Sequence, residues 1–145
     1  MHTVQRSVLL PYKASQMFDL VSDVEKYPEF MPWCGGSAVK EQLEDGVVAS
    51  VTISLAKIKQ TFTTRNTYTF PEKIELKLVD GPFSALNGTW EFIALDEEAC
   101  KVLFTLDYAF NSKTLEMLVG PVFNRIANSF IDSFTKRAQV VYGDR

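Results

Sequence analysis

The chain has 145 residues, 46% apolar and 23% charged. That composition fits one ordinary globular domain, spanning 1–145, and excludes a disordered tail, a coiled coil and a low-complexity linker. The net charge of −3 argues against a dedicated DNA-binding protein. One histidine, His2, and two cysteines, Cys34 and Cys100, without a C-x-x-C pair, supply neither a zinc site nor a placed base for a Ser-His or Cys-His nucleophile.

Thr3 to Leu10 is a β-type run ended by Pro11. The residues before it lack the apolar stretch of a signal peptide, and no run is long and apolar enough to span a bilayer. A soluble protein with reduced thiols is expected. Ser15 to Val21 predicts a short helix carrying Met17, Phe18 and Val21 inward. Asp23 is expected to cap a following turn through Tyr27, ended by Pro28. The segment Tyr27 to Gly36 then carries Phe30 and Trp33 between prolines and glycines, and reads as a loop.

Alternation dominates the middle of the chain. Val47, Ala49, Val51, Ile53 and Leu55 share one face of a strand. Phe62, Thr64, Asn66, Tyr68 and Phe70 share a face of the next, followed by Ile74, Leu76 and Leu78. Asp80 to Gly88 reads as a second stiffened loop, with Phe83 and Leu86 exposed. Trp90 and Phe92 flank Glu91, and Cys100, Val102, Phe104, Leu106, Tyr108 and Phe110 give six inward positions. Short polar links such as Glu44-Asp45-Gly46 join antiparallel neighbours. Leu115 to Val119 reads as a short helix before a break at Gly120-Pro121. From Pro121 a helical stripe of Phe123, Ile126, Phe130 and Phe134 runs to a stop at Gly143, about 33 Å at 1.5 Å per residue.

The expected fold is α+β: a curved antiparallel sheet of six to seven strands wrapped around one long C-terminal helix. The aromatic stripes are a packed core or the lining of an elongated apolar cavity. In the cavity reading the ligand-binding set is Asn66, Tyr68, Trp90, Phe104, Leu106, Tyr108, Val119, Phe123, Ile126 and Phe130. Asn66 is singled out because a buried amide needs partners, and Val119 is placed near the mouth. Phe30, Trp33, Phe83 and Leu86, with Lys57 and Lys59 in a third turn, form the candidate gate or membrane-facing rim. No paired acids or histidine fall on the inner face, so catalysis is not expected.

The blocks Tyr27-Pro28-Glu29-Phe30, Pro32-Trp33-Cys34, Phe62-Thr63-Thr64-Arg65-Asn66, Asp80-Gly81-Pro82-Phe83 and Gly88-Thr89-Trp90-Glu91-Phe92 resemble the coenzyme Q-binding START-domain family of the SRPBCC superfamily. That family includes bacterial ribosome-association toxins of the RatA type. The resemblance covers residues 3–142. It implies a helix-grip fold with a tunnel, binding of ubiquinone or a similar isoprenoid in support of respiration, and no cofactor. It also implies a cytoplasmic protein, peripheral at the inner membrane during any transient contact. The alternative it carries is association with the large ribosomal subunit, and a polyketide cyclase or dehydratase is a third reading.

Overall fold

The computed structural model describes residues 1–143. β1 (His2–Leu10) leads into α1 (Ala14–Ser22) and a 3₁₀ turn (Val24–Glu29). Six strands follow: β2 (Cys34–Leu43), β3 (Gly46–Leu55), β4 (Ile58–Thr69), β5 (Lys73–Asp80), β6 (Phe83–Asp96) and β7 (Ala99–Phe110). The chain closes with α2 (Lys113–Tyr142). The strands form one seven-stranded sheet in the order β1-β7-β6-β5-β4-β3-β2, and every neighbouring pair is antiparallel. β2 to β7 are a meander because tight turns join them. Ala56 and Lys57, between β3 and β4, both take positive φ, 53° and 67°, which is the hairpin geometry that continues the strand twist. Only the link from β1 to β2 must cross from one edge of the sheet to the other, and α1 with the 3₁₀ turn makes that crossing.

Side-chain alternation sends one face of each strand into the core. On β7, Cys100, Val102, Phe104, Leu106 and Tyr108 are each 3% exposed or less. α2 lies against that face. Its Phe123 ring sits 4.7 Å from Tyr108, Phe130 5.5 Å from Phe104, and Phe134 5.3 Å from Trp90. Ile126 is buried between the first two. The expected grip of sheet on helix is therefore the observed architecture. Ser112 starts α2, its Oγ accepting from the Leu115 N–H at 3.0 Å, a standard N-cap.

Several local expectations are corrected. α2 is continuous through Gly120-Pro121 rather than split there. Proline removes the bond to the Met117 carbonyl, at a cost of about 3 kcal/mol in an interior turn. Met117, Leu118 and Pro121 are exposed, so the break faces solvent, while buried Val119 and Phe123 hold both sides in the core. Asp23 makes no side-chain cap, and Pro28 lies inside the 3₁₀ turn instead of ending it. Phe83 and Leu86 are not in an exposed loop: they are 5% and 2% exposed, because β6 already begins at Phe83. Trp33 is likewise inside, at 5% exposure, since the short turn and β2 draw it under the sheet edge. Phe70 lies past the end of β4, largely exposed, with its ring on Phe18 at 5.1 Å.

Candidate functional site

An apolar cavity lies between the concave sheet face, α2 and the segment from α1 to β2. β3 to β7 supply its floor through Val51, Thr64, Asn66, Trp90, Phe104 and Leu106. α2 supplies Phe123, Phe130 and Phe134. Val24, Tyr27, Met31 and Trp33 close one wall. The volume of the cavity is about 70 Å³. The 21–33 segment is the wall whose backbone is not tied into the sheet along its length.

The cavity has a polar end. Thr64 Oγ1 donates to Asn66 Oδ1 at 2.6 Å, with both residues buried. The Asn66 amide lies against the Tyr68 hydroxyl, and that hydroxyl donates to the Ser22 carbonyl at 3.2 Å. The Tyr27 hydroxyl donates to the Val21 carbonyl. Gly46 permits this arrangement: a Cβ there would stand 1.8 Å from the Asn66 carbonyl oxygen, so only glycine lets β3 approach β4 at that point. Burial, then the neighbouring Tyr68, Cys34 and Asp23, push the Tyr27 hydroxyl far above its ordinary value. Burial also raises Tyr68, against a lowering by Asn66, and raises Cys34. These groups stay protonated and neutral at pH 7. Among the described residues lining the cavity there is no carboxylate, histidine, lysine or arginine, and no group of three metal-ligating side chains occurs. What the arrangement offers is apolar contact and neutral hydrogen bonding.

Of the residues singled out in the sequence, Asn66, Trp90, Phe104, Leu106, Phe123 and Phe130 line the cavity, and so do Trp33 and Leu86. Tyr68 is partly buried outside the lining. Tyr108, Val119 and Ile126 are buried outside the lining. Phe83 packs beside it, 5.0 Å from Phe123. Lys57 is exposed on the β3–β4 turn, whereas Lys59, also exposed, lies in β4 and not in the turn, paired with Ser54. Phe30 packs on Phe134 at 5.7 Å, under the Arg137 guanidinium at 4.9 Å. Arg137 also pairs with Glu29 at 3.2 Å, so α2 holds the turn at two points. Sequence reasoning missed Thr64, Val24, Tyr27 and Met31 as wall residues. Thr64 shares the Asn66 face and was legible by alternation; the other three come from a turn with no periodicity to read.

A curved antiparallel sheet closed by a long C-terminal helix over an apolar cavity is the helix-grip, START-like class of fold. An aromatase/cyclase from Streptomyces sp. R1128 has the same fold, with a TM-score of 0.84 at 16% identity over 99% of both chains. A START superfamily protein from Mycobacterium smegmatis has a TM-score of 0.78 at 19% identity, covering 97% of this chain and 99% of that one. The chain belongs to the polyketide cyclase/dehydrase and lipid transport family, whose model matches residues 10–135. The ribosome association toxin RatA of Vibrio cholerae is 49% identical over 144 residues, covering 99% of this chain and 100% of that protein. A mitochondrial coenzyme Q-binding protein COQ10 homolog B of Xenopus laevis is 23% identical, over 94% of this chain and 58% of that protein. No helix among the described residues is long and apolar enough to cross a membrane.

Proposed function

We propose that the protein is a non-catalytic ribosome-associating protein whose target is the large subunit. The observation that carries this reading is the 49% identity, end to end, with a protein named for ribosome association. The net charge of −3 requires local basic contacts to rRNA phosphates. Arg125 and Lys136, on the exposed side of α2, form no ion pair among the described residues and are available for that role. The test is co-sedimentation with purified subunits across a salt series. Binding to the large subunit that weakens steeply with salt is expected, since phosphate contacts release counterions. Protein remaining at the top of the gradient with both subunits at low salt refutes the reading.

A second function is supported by the cavity: binding of a neutral isoprenoid such as ubiquinone between the sheet and α2. Its apolar lining would supply affinity at about 25 cal/mol per Å² buried, and the lack of charge in the wall suits a neutral ligand. The same lack of an acid–base pair speaks for binding over cyclase or dehydratase chemistry. Native mass spectrometry of the protein purified from its own host tests this reading. A bound quinone mass is expected, and uniformly ligand-free protein from respiring cells counts against it.

A further inference from the structure

We propose that the indole N–H of Trp33 is the specificity-determining donor of the cavity. Its ligand is then a neutral, apolar molecule bearing a ketone-type oxygen. This rests on the reading of the cavity as a ligand site and narrows what that site selects.

Trp33 lines the cavity and is 5% exposed. Its Nε1 is the one buried side-chain nitrogen or oxygen among the described residues that has no hydrogen-bond partner. Four other polar groups nearby are already engaged. Tyr27 donates to the Val21 carbonyl, Tyr68 to the Ser22 carbonyl, Thr64 to Asn66, and Ser37 Oγ to the Val24 carbonyl at 2.8 Å. Nor is the indole free to turn toward water. The Ser54 N–H donates to the Trp33 carbonyl at 2.8 Å, the Cys34 N–H binds the Met31 carbonyl at 3.0 Å, and the Phe130 ring lies 5.5 Å from the indole.

An indole N–H only donates, and a buried donor without an acceptor is destabilising. An incoming oxygen acceptor therefore gains a hydrogen bond without displacing an existing one. The acceptor must be uncharged, because no lysine or arginine lines the cavity among the described residues and an unpaired anion there would lose its hydration. That rule selects ketones and quinones over fatty-acid carboxylates and phosphate-bearing lipids.

The test compares 2-acetylnaphthalene with 2-isopropenylnaphthalene, which differ by C=O against C=CH₂, and adds 2-naphthoate as the anion. The full chain is labelled with ¹⁵N-tryptophan, and Trp90→Phe assigns the two indole signals. The ketone is expected to move the Trp33 indole proton downfield, the hydrocarbon to bind without that shift, and the naphthoate not to bind. By calorimetry, Trp33→Phe is expected to reduce the ketone-to-hydrocarbon affinity ratio about tenfold while hydrocarbon binding persists. If that variant does not fold, the Trp33 signal of the unaltered chain decides the matter. Binding of both neutral probes with no Trp33 shift and an unchanged ratio overturns the donor role and leaves the ligand cavity standing. Naphthoate binding as tight as the ketone overturns the selection for neutral ligands. Failure of every probe to bind overturns the cavity reading itself.

Discussion

The buried pair Thr64–Asn66 allows a cycle whose outcome is set by geometry. Thr64→Val keeps the shape of the side chain and deletes the hydroxyl that donates to Asn66 Oδ1 at 2.6 Å. The oxygen is left without a donor in a wall where Asn66 is 6% exposed. An unmatched buried acceptor costs about 1–3 kcal/mol, which lowers the melting temperature by about 4 °C per kcal/mol in a chain of this size. Asn66→Leu orphans the Thr64 hydroxyl instead, at a similar cost. The double variant Thr64→Val/Asn66→Leu removes both partners and replaces them with apolar groups, and is expected to melt close to the original protein. The coupling in the cycle then equals the sum of the two single costs, about 2–6 kcal/mol. Urea melts followed by circular dichroism measure it. A Thr64→Val protein as stable as the parent, or a double variant that loses the sum of the two single costs, would refute the argument that this hydrogen bond is what makes two polar side chains tolerable in the cavity.

Gly46→Ala is expected to destabilise by at least about 2 kcal/mol, since the new Cβ would meet the Asn66 carbonyl at 1.8 Å and the strands must separate; a melting curve identical to the parent's counts against this. Arg137→Gln removes both the Glu29 contact and the guanidinium over Phe30. Faster amide exchange across residues 24–33, with α2 unchanged, is the expected result, and unchanged exchange would mean that Arg137 does not hold this wall. Val119→Lys buries a charge at a position 3% exposed outside the cavity lining, so it should cost several kcal/mol of stability instead of selectively blocking a ligand. Burial pushes the Cys100 thiol up to about 11. A raised native value favours the protonated folded state, so this contribution is full below the ordinary thiol value of about 8.5 and is lost as pH rises toward 11. Cys100→Ala should accordingly flatten the fall in urea midpoint between about pH 9 and 11, and an identical slope in both proteins would contradict the assignment.

The strands and the helix stripe were written in residue periods. Period two placed Phe104, Leu106 and Asn66 on inner faces, and the three-four spacing of Phe123, Ile126 and Phe130 placed them on one side of α2. Alternation and helical spacing are local consequences of backbone geometry, so a sequence carries them directly. The resemblance of the motif blocks supplied the family, and with it the helix-grip closure. What the periods could not carry was anything set by contacts between distant segments. The depth of Trp33, Phe83 and Leu86 depended on where the β1–β2 crossing and the start of β6 come to rest. Val24, Tyr27 and Met31 became wall residues because an aperiodic turn is clamped by Phe134 and Arg137 from more than a hundred positions away. Continuity of α2 through Pro121 was likewise decided by tertiary burial of Val119 and Phe123, which outweighs the helix-breaking preference of one proline. The unmatched Trp33 donor belongs to the same class. Indole chemistry is fixed by the residue, but only the packed fold determines that nothing within reach accepts its proton.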